Sequence, residues 1–263
     1  MLETQIDAAN AYEALFVPAL FAQWAPKVAD AARIEPGHRV LDVACGTGIL
    51  AREAISRAGS GGRVAGIDPS PGMIAVAKRI APAVEWREGV AESLPFADRS
   101  FDAVVSQFGL MFFTDRRKAL REMMRVLGPG GRLVVAVWDS LDRIPAYASV
   151  VALLEQTAGR PAADALRAPF VLGDAKDLAA LFSEAGVGSA EVTTHRGAAQ
   201  FPSIRTMVEA DLRGWLPMVG VMLTEDQIGR ILQEAERALG SYKTAAGRAS
   251  FPLSSHIVAA QKD

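Results

Sequence analysis

The 263 residues are half hydrophobic, carry a formal net charge of -2 and include a single cysteine. That length and apolar content suit one large domain or two small ones with a sizeable core. With so little net charge and no run of Lys or Arg, nucleic acid and anionic lipid are poor partners. The lone Cys45 excludes an internal disulfide and points to a reducing compartment.

The opening stretch MLETQIDAANAYEALF carries acids rather than the basic start of a secretory leader. No apolar run is long enough to span a bilayer, so the expected location is cytoplasmic. Ala8 to Val17 and Pro18 to Ala32 read as two helical pieces, broken or bent at Pro18, whose missing N–H and ring oppose a continuous helix. Tyr12, Phe16, Phe21 and Trp24 crowd their apolar side. Two readings stand open: core packing, or a lid folded across a ligand.

Arg39 to Ala51, RVLDVACGTGILA, is the stretch around which the chain is organised. Val40, Leu41 and Val43 form a buried strand, Gly46 and Gly48 a turn, and from Ile49 to Ala58 the apolar residues fall at helical spacing. Glycines let the chain turn tightly and keep side chains away from the amides of the helix start, which suits a cofactor cradle. By itself Gly46-x-Gly48-x-x-Ala51 also fits a dinucleotide fingerprint or an ordinary strand–helix turn.

Arg63 to Asp68 reads as a second strand ending in an acid twenty residues beyond Gly48, the spacing at which a carboxylate reaches ribose hydroxyls. Ser70 and Pro71 look like the cap and first residue of the next helix, Pro71 to Ile80, which leaves Asp68 free. Val84 to Arg87 is a third strand, followed by the loop Glu88 to Phe96. Phe101 to Ser106 is a fourth strand and Gln107 to Phe113 an uncharged loop. Thr114 or Asp115 caps a helix with Leu120, Met123, Met124 and Leu127 on one face; Gly128-Pro-Gly-Gly ends it before a fifth strand, Leu133 to Trp138.

Five strands alternating with four helices predict a parallel sheet with helices on both faces and a ligand beyond the carboxyl ends of the strands. Gly46 to Gly48, Asp68, Ala91 to Glu92, and Ser106 to Gln107 all fall at those ends. Further on, Ala146 to Ala158 reads as a helix and Arg160 to Phe170 as a Pro- and Ala-rich stretch. Ala175 to Ala185 reads as a helix, Glu191 to Phe201 as a strand, Ile204 to Trp215 and Glu225 to Leu239 as amphipathic helices, and His256 to Gln261 as a last strand. With no repeat and no linker, the expectation is one domain over 1–263. Its cofactor-binding core would be 33–140, its lid and acceptor-pocket segments 1–32, 141–175 and 203–245, and its closing strands 187–201 and 249–262.

The motifs VLDVACGTG, GIDPSPGMIAVA, AESLPFADRSFDAVVS and ALREMMRVLGPGGRLVVAVW, in that order, resemble the class I S-adenosylmethionine-dependent methyltransferases, in the small-molecule branch of the ubiquinone and menaquinone biosynthesis C-methyltransferases. The resemblance implies a Rossmann-like three-layer αβα sandwich. Its sheet would be seven-stranded and mostly parallel, the last strand antiparallel between the fifth and sixth, with helical lid segments added. It also implies S-adenosyl-L-methionine as cofactor and S-adenosyl-L-homocysteine as product. Carried over by position, Ala44, Cys45, Gly46 and Gly48 lie against the methionine and ribose, and Asp42 organises the methionine end. Asp68 takes the ribose hydroxyls, Pro69 and Met73 flank adenine, Ala91 and Glu92 edge it, and Ser106 and Gln107 hold the methionine end. Val90 departs from the pattern, since many relatives place there an Asp that meets the adenine amino group.

Methyl transfer from a sulfonium leaves a neutral thioether, so alignment and exclusion of water do much of the work and a strong acid is not required. That predicts a site poor in charge, and the aromatic amino-terminal helices with the Gln107 to Phe113 loop fit it. An oxygen or carbon acceptor needs a proton removed; Tyr12 is the candidate base. His38, His195 and His256 have no orienting acid at readable spacing and read as structural or exposed. No cluster has metal-ligand spacing, and none is expected. A short-chain dehydrogenase fails because no Tyr is followed four residues later by Lys. The expected function is O- or C-methylation of a small hydrophobic acceptor by a monomer or homodimer; the alternative is a cofactor-binding regulatory or scaffold protein without turnover.

Overall fold

The computed structural model describes residues 2–188 and 190–263. Of the span 187–201 expected to close the sheet, residue 189 lies outside the described residues.

The chain opens with helix α1 (Leu2–Ala11), a π-helical segment Tyr12–Phe21 and helix α2 (Ala25–Ala31). Pro18 therefore does not break the chain: it sits inside the wide π-helical turns, where its ring is relieved of the clash it would make in an α-helix, and the break falls at Ala22–Trp24 instead. Strand β1 (Arg39–Val43) is followed by α3 (Ile49–Ala58), β2 (Arg63–Asp68), α4 (Pro71–Ile80) and β3 (Glu85–Glu88). Then come β4 (Phe101–Gln107), α5 (Arg116–Val126), whose cap is Asp115, and β5 (Leu127–Trp138).

Two expectations need correction here. The crossover from β3 to β4 is a loop, so three helices rather than four lie between the first five strands. The Gly128-Pro-Gly-Gly stretch belongs to β5, which begins at Leu127 directly after α5, with Gly130 alone in it at a positive φ of +74°. Its pairing with β4 shifts register between Phe101 and Ala103 to absorb the extra residues.

The later half adds α6 (Pro145–Ala158), α7 (Arg160–Arg167), α8 (Ala175–Glu184), β6 (Glu191–Phe201) and α9 (Ile204–Ala210). A second π-helical turn, Asp211–Trp215, leads into the short α10 (Leu216–Met218), then α11 (Glu225–Ala238) and β7 (Ala249–Gln261). The Pro- and Ala-rich stretch is thus largely helical, since Pro161 sits in the first turn of α7 and Pro169 in the 3-10 turn Ala168–Phe170 that follows, where no N–H is needed. The last strand begins seven residues before His256 because Leu253, Phe251 and Ala249 alternate inward.

The seven strands form one sheet in the order β3-β2-β1-β4-β5-β7-β6, with β7 antiparallel to both of its neighbours. This is the expected doubly wound arrangement, with the order reversing between β1 and β4. Val40, Leu41 and Val43 in β1 and Leu133 to Val137 in β5 are wholly buried, as strands covered on both faces must be. Trp24 is core, packed edge-on against Phe108 and Trp138, whereas Tyr12, Phe16 and Phe21 face a cavity. The amino-terminal aromatics are therefore divided between the two readings.

Candidate active site

A cavity of about 1000 Å³ opens at the carboxyl ends of β1, β2, β4 and β5, at the upper end of the roughly 300 to 1000 Å³ usual for small-molecule pockets. Its floor is built by the turn after β1. Ala44 has φ +57°, Gly46 +54° and Gly48 +88°, and across from them Phe108, just past β4, has φ +59°. Positive φ at an Ala and a Phe is strained, and such backbone gathers where a site must be shaped against local preference.

Gly48 makes the tight turn expected of it, at φ +88°, but does not open the way to a ligand. A Cβ there would lie 2.3 Å from the Trp86 ring, and Gly48 does not line the cavity. The glycine admits the indole of β3, whose Nε1 donates to the Ala81 carbonyl at 2.8 Å. Gly46 does line the cavity, and a Cβ there would meet only the Tyr12 ring at 3.9 Å.

Asp42, Ala44, Cys45, Asp68, Pro69, Met73, Ala91, Glu92, Gln107 and Tyr12 also line the cavity; Ser106 is fully buried behind the wall and does not. Asp68 is not free: its two oxygens accept the amides of Gly46 and Ser70, each at 2.9 Å. Each oxygen keeps a second lone pair, so the carboxylate is oriented rather than consumed. The Glu92 carboxylate accepts the amides of Thr114 and Asp115, fixing the start of α5.

The cavity is lined mainly by apolar groups, yet it gathers the buried acids. Asp42, Asp68 and Asp211, the three buried carboxyls among the described residues, all line this one cavity. Burial pushes Asp42 well above the usual carboxylate range and raises Asp68 against its two amide donors. Asp211 is pushed up to about 8 by burial alone.

Both oxygens of Asp42 and the Oε1 of Gln107 are buried without a hydrogen-bond partner, while the Gln107 amide nitrogen donates to the Phe21 carbonyl at 3.2 Å. Orphaned buried acceptors are expensive and mark a place for a donor. An ammonium supplies three, so the residues present fit the methionine end of S-adenosylmethionine.

Tyr12 stacks on Phe21 at 5.3 Å between ring centres. Burial first, and then the charges of Asp68, Glu13 and Asp42, push its hydroxyl above the ordinary phenol range and favour the protonated phenol. Burial likewise raises the Cys45 thiol and makes it inert. His256 is not without an acid: it is buried inside β7, with Nε2 3.3 Å from Asp139 and 2.9 Å from the Gly173 carbonyl, away from the cavity. The pairing joins residues distant in sequence, which is why spacing did not reveal it.

Two features had no sequence signal. Glu13 accepts the Thr47 hydroxyl at 2.5 Å and pairs with Arg52 at 2.8 Å, tying the π-helical segment to the glycine turn. Asp211 and Tyr147 reach the cavity from helices of the later half.

Comparison with known proteins bears on the first half of the chain. Residues 41–135 match the family described as "Methyltransferase domain". Demethylmenaquinone methyltransferase of Renibacterium salmoninarum is 48% identical over 114 residues, which cover 43% of this chain and 47% of that protein. The ubiquinone/menaquinone biosynthesis C-methyltransferase of Ectopseudomonas mendocina is 44% identical over 108 residues, 39% and 42% of the two chains. The chain thus spans about half the length of the curated relatives it matches.

Among solved structures, YcgJ of Bacillus subtilis superposes with a TM-score of 0.62 at 21% identity, covering 91% of this chain and 98% of that one. SpnF, described as a [4+2]-cyclase, superposes at 0.55 and 22% identity over 92% of this chain and 81% of its own. These likenesses establish the Rossmann-like fold, and the second shows that this fold also hosts other chemistry. Among the described residues no helix is long and apolar enough to cross a membrane.

Proposed function

We propose that the chain transfers the methyl group of S-adenosylmethionine to a small hydrophobic acceptor, at oxygen or carbon. The observation that carries this is the convergence of three orphaned acceptors, Asp42 Oδ1 and Oδ2 and Gln107 Oε1, at one end of a cavity otherwise lined mainly by apolar groups. The methyltransferase-domain match over 41–135 supports it.

Asp42 and Gln107 would receive the ammonium of the methionine moiety, and Asp68, with its carboxylate aimed by two amides, the ribose diol. Pro69, Met73 and Ala91 would hold the adenine by packing. Val90, 47% exposed at the rim, offers it no acceptor. When bound, the cofactor supplies a methyl group on a positively charged sulfur, open to in-line displacement. The chain contributes alignment and dryness: Phe21, Phe108 and Trp138 wall the space beyond the floor, with Phe108 stacked on Trp138 at 3.7 Å. The segments 1–32, 141–175 and 203–245 would then act as lid and acceptor pocket around the core 33–140, within one domain. The acceptor class is that of flat, uncharged quinol- or phenol-like molecules, in keeping with the demethylmenaquinone methyltransferases that the first half resembles.

Calorimetry with S-adenosylhomocysteine and S-adenosylmethionine tests the site. Burial favours the protonated form of Asp42 whereas an ammonium needs the ionised one, so binding should release protons, less so as pH rises, and Asp42→Asn should abolish that release and weaken affinity by about 2–3 kcal/mol. Transfer of labelled methyl to reduced naphthoquinones or naphthols would then establish turnover. Binding without transfer to any of a broad acceptor panel would favour the regulatory alternative, and no binding of either compound would sink the assignment.

A further inference from the structure

The cavity has two polar poles, and the proposed cofactor uses only one. Tyr12 lies within the influence of Asp68, Glu13 and Asp42, whereas Tyr147 feels Asp211 alone. The second pole is thus a separate pair. Asp211 is 3% exposed, its Oδ2 has no hydrogen-bond partner, and it faces the cavity from the first residue of a π-helical turn. Such turns displace one residue from helical register and gather at functional positions. Tyr147, on α6, is likewise buried and held between the rings of Phe170 and Phe251 at 5.5 and 5.7 Å; its hydroxyl has no partner among the described residues. Arg213, two residues from Asp211, does not neutralise it, because its guanidinium is taken by Glu209 and by both oxygens of Glu225.

A buried carboxyl without a partner costs stability, so its position calls for a ligand. Resting on the reading above, we infer that Asp211 and Tyr147 recognise a hydroxyl or keto oxygen on the flat apolar acceptor, fixing which end of the molecule enters the pocket. An uncharged oxygen fits this place better than an ammonium: the surroundings are apolar, and a second desolvated charge would have to be brought in to meet the first. Both side chains can donate to a keto oxygen, and either can accept from a hydroxyl. A site built around such a bond rejects analogues lacking the oxygen, since its own groups would then stay unpaired. These are positioning residues for the acceptor; the methyl-bearing sulfur lies at the other pole.

The test uses the full chain saturated with S-adenosylhomocysteine and compares 2-naphthol with naphthalene by equilibrium dialysis. The wild type should prefer 2-naphthol tenfold or more. Asp211→Leu should bring the ratio near one by losing naphthol rather than naphthalene, bind S-adenosylhomocysteine within twofold of wild type and melt at a higher temperature. Tyr147→Phe should reduce the preference without abolishing it. Equal binding of the two probes by the wild type, no binding of 2-naphthol at all, or a preference that survives Asp211→Leu would overturn the inference. So would tighter binding of 2-naphthylmethylammonium than of 2-naphthol that is lost in Asp211→Leu. If the wild type fails to bind S-adenosylhomocysteine, the methyl-transfer reading falls instead, and the naphthol comparison without it still reads Asp211.

Discussion

The two poles of the cavity are built in different ways. The one at the tips of β1, β2 and β4 is made largely of backbone: a turn with three residues at positive φ, and an aspartate whose two oxygens take main-chain amides. The other is made of side chains alone, Tyr147 from α6 and Asp211 from the turn after α9, with nothing near them in sequence to fix their approach. Backbone construction needs particular residues at fixed short spacings and can change little; side-chain construction on separate helices leaves the pole open to variation. The methyltransferase-domain match, which stops at residue 135, covers the first pole and excludes the second.

The sharpest way to separate the poles is by pH. Asp211 titrates near 8 in the fold and near 4 in the unfolded chain, so between those values the native state holds a proton that the unfolded state has released. Stability from this group is therefore full below about pH 4, falls as pH rises, and is lost above about 8, with a total on the order of 5 kcal/mol. Asp42 and Asp68 are shifted in the same direction and add to the slope. Denaturant midpoints of wild type and Asp211→Asn should coincide near pH 4 and diverge in favour of the variant toward pH 8. Parallel curves would mean that Asp211 is solvated and that the second pole is not dry.

The next effect belongs to the first pole. Gly48→Ala places a methyl 2.3 Å from the Trp86 ring in a residue held at φ +88°. Strain and overpacking together should cost about 2–4 kcal/mol of stability, read as a shift in urea midpoint. Gly46→Ala keeps a positive φ but meets only Tyr12 at van der Waals distance, and should cost less. Similar losses for the two would show that the turn is limited by backbone conformation rather than by the indole.

The same contrast explains what could be read from sequence. The strand, turn and helix at Arg39 to Ala51 and the acid at Asp68 were legible because they depend on residues within a few positions of one another, whereas the place of the last strand in the sheet came from the family resemblance. The glycine pattern also revealed the tight turn at Gly48 but not that the glycine admits the Trp86 indole, since Trp86 lies in a different strand. Legibility failed wherever partners meet only in the fold. Asp139 with His256, Glu13 with Thr47 and Arg52, and Asp211 with Tyr147 are separated in sequence and carry no periodic signature. Pro18 misled for a related reason: its helical penalty is real in an α-helix, and nothing local announces the wider turns that accommodate it.

Glu13 ties the backbone-built pole to the amino-terminal segment that covers it, alongside the Gln107–Phe21 hydrogen bond, and its loss should give the smallest of these effects. Its carboxylate takes the Thr47 hydroxyl and the Arg52 guanidinium together, but both charged partners are about one-fifth exposed and screened by water. Glu13→Gln keeps a hydrogen bond to Thr47 and removes the ion pair, so S-adenosylhomocysteine should bind three- to tenfold more weakly, about 1 kcal/mol. The loss should come with faster amide exchange across Tyr12–Phe21, while the amides of β1 keep their protection, because the segment, not the floor, is released. Raising the salt concentration should narrow the gap between wild type and variant. Weaker binding with unchanged exchange would place Glu13 in direct contact with the ligand, and would make the covering segment part of the cofactor pole rather than a strap across it.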